Sequence, residues 1–137
     1  MRILLADNQQ RVRFALRVLL ERQSGFEISG EAADAVELLV EAMNACPDLV
    51  LLAWDLPGLS ELDLVPALRR VCPDVGIIAL SGRSEARRAA LKAGADAFVS
   101  KGDPPERLLA AIEDHRPKPH GTFMRKKAQS YEAATDV

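Results

Sequence analysis

Nowhere among the 137 residues does an uninterrupted apolar run approach membrane-spanning length. Ile3-Leu4-Leu5-Ala6 is too short for the apolar region of a signal peptide and Asp7 interrupts it, so a cytoplasmic chain with no membrane contact is expected. Cysteine is scarce: Cys46 and Cys72 are the only two, each followed by proline and aspartate. Metal binding would need further ligands close by, and a disulfide would be unusual in the cytoplasm, so both are expected to be small apolar residues at helix ends. Their shared Cys-Pro-Asp reflects repeated connection geometry, because proline disfavours helix at the residue before it. Charge of one sign is also lacking. A formal net charge of -2 gives no global attraction to nucleic acid or an anionic membrane. Aromatic residues make up 4%, and none is interleaved with the basic cluster Arg83, Arg87, Arg88 and Lys92 in the manner of a nucleic-acid surface. A glycine-rich phosphate loop and a nucleophile-base pair are both missing, so no enzymatic activity is expected.

What is present is 48% apolar content, enough for one domain with a real core. Strand-like runs cover Arg2 to Ala6, Phe26 to Ala32, Leu49 to Ala53, Gly76 to Leu80 and Ala97 to Ser100, and helical periods alternate with them. This is the pattern of an α/β domain: a doubly wound parallel sheet covered on both faces. Four of the runs are almost continuously apolar, as buried parallel strands require. The second alternates Phe26, Ile28 and Gly30 with Glu27, Ser29 and Glu31, which suits an edge; the flavodoxin-like (βα)5 order 2-1-3-4-5 places it there. Val12, Ala15, Leu16 and Leu19 in the first helix, and Val36, Leu39, Val40 and Met43 in the second, form stripes expected to face the sheet. Asp34 with Glu37 and Ser60 with Asp63 have capping-box spacing, and Asp103-Pro104-Pro105-Glu106 suits the start of a fifth helix running to His115. Gly94 is placed to end the fourth helix in a left-handed conformation. The domain is expected to cover residues 1–116. Pro117-Lys118-Pro119-His120-Gly121 then begins a tail or truncated linker, 117–137, in which Met124, Ala128 and Tyr131 make a weak stripe beside Arg125-Lys126-Lys127.

In an open parallel sheet, functional groups collect beyond the carboxyl ends of the strands. Here those ends carry Asp7 and Asn8, then Ala53, Trp54 and Asp55, then Ser81, and finally Lys101. Together with Leu56-Pro57-Gly58 and the stretch Gly94-Ala95-Asp96-Ala97-Phe98-Val99-Ser100-Lys101, this set resembles the receiver domain of bacterial two-component response regulators, of the kind joined to LuxR-type output domains. The resemblance covers roughly Met1 to Arg116. It implies a site in which an aspartate accepts a phosphoryl group, an acidic pair holds Mg²⁺, a hydroxyl binds a phosphoryl oxygen and a lysine neutralises charge. Asp7, Ser81 and Lys101 match that set. Asn8 departs from it, bringing no negative charge to a hard cation. Ala53 stands at the acceptor position, where a methyl group can neither attack phosphorus nor ligate a metal. Asp55 lies about 6.5 Å further on in an extended chain, too far to substitute.

The degenerate pocket therefore comprises Asp7, Asn8, Ala53, Asp55, Ser81 and Lys101. No cofactor is expected, Mg²⁺ binding should be weak or absent, and Lys101 should pair directly with Asp7. Ser81 and Phe98 occupy the family's switch positions, or serve simply as a capped strand end and a core aromatic. Arg83, Arg87, Arg88 and Lys92 make the fourth helix basic. By resemblance, this helix with the fifth strand and fifth helix forms a face for a homodimer or a protein partner, such as a histidine kinase or a downstream regulator. The function expected is phosphorylation-independent docking or dimerisation in signal transduction. Two other functions fit the residues: a conventional phosphorelay receiver and transcription-regulator input domain with its acceptor exchanged at position 53, or a small-effector-binding flavodoxin-like module. The second departure, at Asn8, favours the first of the three. A reading frame continuing past Val137 into a helix-turn-helix would make the chain an input domain.

Overall fold

With no polar side chain in Leu49–Ala53, this strand is stable only where both sheet faces are covered, and all five of its residues are buried. In the computed structural model, which describes residues 1–115, it is the centre of a five-stranded parallel sheet. The elements run β1 Arg2–Ala6, α1 Gln10–Glu21, β2 Glu27–Ala32, α2 Ala35–Asn44, β3 Leu49–Ala53, α3 Glu61–Val71, β4 Gly76–Ser81, a 3-10 turn Ser84–Ala86 leading into α4 Arg87–Lys92, β5 Ala97–Ser100 and α5 Pro105–Asp114. Strand order is β2-β1-β3-β4-β5, as the sequence leads one to expect, with the alternating β2 at the edge. No helix among the described residues is long and apolar enough to cross a membrane. The stripe and basic cluster of the tail lie outside the described residues.

Strand alternation divides the core in two. Ile3, Leu5, Leu51, Ile78 and Val99 meet α1 and α5 through Leu20, Leu108 and Ile112. Leu4, Val50, Leu52, Ile77 and Phe98 meet α2, α3 and α4 through Leu38, Leu64 and Ala90.

Several local expectations are corrected. Of the expected α2 stripe only Leu39 packs on the core, while Val36, Val40 and Met43 face outward at 62%, 46% and 65% exposure and Ala35, Leu38 and Ala42 are buried. The helix carries two apolar stripes, and its start decides between them: Asp34 accepts from the Glu37 amide at 2.8 Å, and the Ala35 amide donates to the Pro57 carbonyl at 2.8 Å. Small Ala35 is held close to the turn, and at Gly58, φ +116°, a Cβ would stand 3.1 Å from the Ala35 Cβ. In α1, Ala15 is exposed and Leu20 is the buried residue. The Ser60 hydroxyl does not cap α3 but meets the Asp63 carboxylate at 3.1 Å. At the start of α5, Pro104 is the N-cap and the Asp103 carboxylate accepts from the Ser100 amide, so the acid of this stretch does not cap the helix. Gly94, φ +114°, follows α4 in the left-handed conformation expected of it.

The largest correction concerns cysteine. Cys46 and Cys72 are joined in a disulfide, their Cα atoms 5.7 Å apart. They lie at the ends of α2 and α3, neighbouring helices on one sheet face, and the two prolines stop those helices side by side.

Glu31 on the edge strand holds α1 by two arginines, Arg13 at 3.0 Å and Arg17 at 2.7 Å. Burial pushes the Glu31 carboxyl up, but hydrogen bonds from Arg17 and Arg13 outweigh it and leave the group below its ordinary value of 4.5. A carboxyl lowered in the folded state contributes stability above its unfolded pKa, and that contribution is lost as pH falls through the folded value. Glu31→Gln is therefore expected to cost about 1 kcal/mol at neutral pH, with the difference from wild type narrowing as pH falls below the ordinary value of 4.5. Urea midpoints of both proteins from neutral to acid pH check it, and the absence of any difference at neutral pH would mean the pairs contribute nothing.

Candidate functional site

The carboxyl ends of β1, β3, β4 and β5 converge at one rim of the sheet, and the backbone continues just past each to place the side chains. The Asp7 amide donates to the Ala32 carbonyl at 2.9 Å and the Lys101 amide to the Ser81 carbonyl at 2.8 Å. Asp7 is 1% exposed. One of its carboxylate oxygens accepts from the Gln9 amide at 2.8 Å, and the other from Lys101 Nζ at 2.8 Å. The direct Asp7–Lys101 pair anticipated from the sequence is thus present, between a buried acid and a cation whose side chain keeps 27% exposure.

Ala53 ends β3 opposite Leu80 at 2% exposure, so the carboxyl end of the central strand presents a buried methyl group. The next residue turns away from the rim. Trp54 donates its amide to the Leu80 carbonyl at 2.8 Å and is buried with the α2, α3 and α4 cluster. The Leu56 amide returns to the Ala53 carbonyl at 3.1 Å, closing a turn that carries Asp55 outward. Asp55 has 69% side-chain exposure and pairs with Arg83 at 3.0 Å. The expectation that it belongs to the pocket is corrected: the turn closed by the Leu56 amide takes its carboxylate away from the rim.

Ser81 is 2% exposed, and its hydroxyl oxygen accepts from the Arg83 amide at 3.1 Å, capping the strand end. Phe98 is buried in the core, with the Arg87 guanidinium 5.4 Å from its ring centre, a cation–π distance. Asn8 is exposed. Of the basic residues, Arg83 is committed to Asp55 and Arg87 to Phe98. Arg88 and Lys92 are exposed and make no ion pair among the described residues.

Arg13 was not singled out by sequence. Its guanidinium donates to the Asp7 carbonyl as well as to Glu31, tying the end of β1 to the edge strand. No local pattern marks it; its place in α1, under the strand end, depends on the folded crossover.

Mg²⁺ is the cation that such a rim would hold, and the donors here do not fit it. Among the described residues Asp7 is the sole buried carboxylate, both of its oxygens are engaged, and the neighbouring strand end offers only the Ala53 methyl group. Among the described residues, no three His, Cys, Asp or Glu side chains group as metal ligands. Mg²⁺ demands near-octahedral oxygen coordination with one or two carboxylates free to bind.

Residues 3–113 match the response regulator receiver domain family. The transcriptional regulatory protein YhcZ of Bacillus subtilis strain 168 is 33% identical over 117 residues, which cover 84% of this chain and 55% of that protein. The nitrate/nitrite response regulator protein NarP of Escherichia coli K12 is 35% identical over 112 residues, covering 80% of this chain and 52% of that protein. A crystal structure of a LuxR-family two-component response regulator from Aurantimonas sp. SI85-9A1 superposes with a TM-score of 0.75 at 32% identity, covering 82% of each chain. The chain spans about half the length of the curated relatives it matches. With the family match spanning both sheet edges and the strand-end residues lying where that fold puts its chemistry, the chain belongs to the response regulator receiver domain family.

Proposed function

We propose that this receiver is of an atypical form that signals without aspartyl phosphorylation, by docking to protein partners or to a second copy of itself. The observation that carries this is the buried Ala53 methyl group at the end of β3, beside an Asp7 already neutralised by Lys101. A carboxylate nucleophile is required to form an acyl phosphate, and the nearest alternative, Asp55, points into solvent. Without a phosphoryl ligand, Ser81 and Phe98 have no differential affinity to respond to, so one state of the rim should dominate. Docking through α4, β5 and α5 is supported by Arg88 and Lys92, whose charges are left over after internal pairing; histidine kinases and downstream regulators are the partner classes this suits. The proposed setting is the cytoplasm, with residues 1–116 as the receiver, residues 117–137 as a tail or linker, and no nucleic-acid contact made by the receiver itself.

Incubation with Mg²⁺ and acetyl phosphate, or with a histidine kinase and ATP, is expected to leave the intact mass unchanged. A hydroxylamine-labile phosphoryl adduct on the wild-type chain would overturn the proposal.

A further inference from the structure

We infer that Cys46 and Cys72 form a thiol–disulfide exchange site, a reversible covalent clamp between α2 and α3 whose reaction partner is a dithiol or its disulfide. The bond joins residues 26 apart in sequence. The ring it closes contains the whole of β3, Ala53, the Asp55 turn and α3. Oxidation state therefore acts on the segment that carries the vacant acceptor position.

Two features make the bond an addition to the fold rather than a condition of it. Both cysteines are held in place by other contacts. The Arg2 guanidinium donates to the Cys46 carbonyl at 3.3 Å, the Arg2 amide donates to the Asp48 carboxylate at 2.7 Å, and the Asp48 amide returns to the Arg2 carbonyl at 2.9 Å. The Cys72 amide closes the last turn of α3 on Leu68 at 2.7 Å, and the Val75 amide donates to the Cys72 carbonyl at 3.1 Å. These bonds anchor each residue in its own part of the fold whether or not the sulfurs are joined. The domain is also built on a two-faced sheet core, unlike the small scaffolds that depend on disulfides for lack of one.

The pair is asymmetric, and this sets the route of exchange. Cys46 is exposed and Cys72 is 2% exposed. An incoming thiolate reaches the Cys46 sulfur, forms a bond to it and breaks the internal one. The Cys72 sulfur leaves with the electron pair and takes up a proton. The second thiolate of the reductant then attacks its own sulfur in the mixed disulfide, releasing Cys46 as thiolate and carrying both electrons' worth of oxidation away as a new disulfide. The reverse sequence, beginning from a low-molecular-weight disulfide, restores the clamp. Opening it frees the end of α2, which carries the outward stripe ending in Met43, to move relative to α3.

The full chain, equilibrated in buffers of reduced and oxidised glutathione and trapped by alkylation, tests this by intact mass. Both directions should go to completion in the folded protein, with an unchanged far-UV spectrum, and amide exchange at the ends of α2 and α3 should rise several-fold on reduction. Cys46→Ser should show that faster exchange in either buffer. The inference fails if excess dithiothreitol leaves the bond intact until denaturant is added, which marks a permanent staple. It also fails if the reduced chain gives only a glutathione adduct at Cys46 and never the internal bond. Neither readout depends on whether the chain accepts a phosphoryl group.

Discussion

Lys101→Met is expected to lower folding stability by about 3 kcal/mol at neutral pH, a loss of more than a hundredfold in the folding equilibrium. Asp7 is 1% exposed, and its carboxylate is met by one backbone amide and one ammonium group. Removing the cation leaves a charge in the interior with a single donor. Breaking a buried pair costs about 3–5 kcal/mol, and the lower end applies because the Lys101 side chain is 27% exposed and water can enter behind it. Methionine keeps the stem and its packing, so the loss measures the charge. Asp7→Asn combined with Lys101→Met should recover most of the loss, with a coupling of about 2 kcal/mol between the two changes. Strictly additive losses in urea unfolding would show that the two groups are neighbours without being partners.

Adding acidity to the rim in steps should confer cation binding in steps. Ala53→Asp alone is expected to bind Mg²⁺ poorly, because Asn8 brings no charge and Lys101 now serves two carboxylates. Asn8→Asp together with Ala53→Asp should bind roughly tenfold more tightly, as a further acid oxygen and charge are supplied to a hard cation. The single variant should also be less stable than wild type without metal, since a second carboxylate enters a position 2% exposed beside a first. Trp54, next in sequence to position 53, gives the fluorescence signal for the titration. Wild type should barely respond at millimolar Mg²⁺. Saturable quenching of wild type in that range, or equal affinity of the single and double variants, would contradict the expectation.

The sheet was legible because burial leaves its mark on composition. Leu49–Ala53 has no polar residue and is fully buried, while β2 alternates and lies at the edge. The rim was legible for a topological reason: parallel strands deliver their carboxyl ends to one side, so Asp7, Ala53, Ser81 and Lys101 come together from distant parts of the chain. Where two solutions share one pattern, sequence does not decide. Helix α2 has an apolar stripe on each of two faces, and the choice rests on Asp34, Pro57 and the close approach of Gly58 to Ala35. The disulfide was missed because compartment chemistry was weighed where helix adjacency was decisive, and a separation of 26 residues carries no trace of that adjacency. Arg13 was missed for a similar reason, as its target is a main-chain carbonyl. Asp55 was counted in the pocket for its nearness in sequence to Ala53, but the turn after β3 carries it outward to Arg83, an ion pair with no local signal.

The bond from Lys101 to Asp7 joins residues 94 positions apart and belongs to the last and first strands in chain order. Such a closure forms only after nearly the whole polypeptide has condensed, because the entropy of bringing the ends together must be met first by nearer contacts. It therefore belongs to the late side of the folding barrier. Its loss should quicken unfolding while leaving the refolding rate almost untouched, so Lys101 is expected to set how long the native molecule lasts.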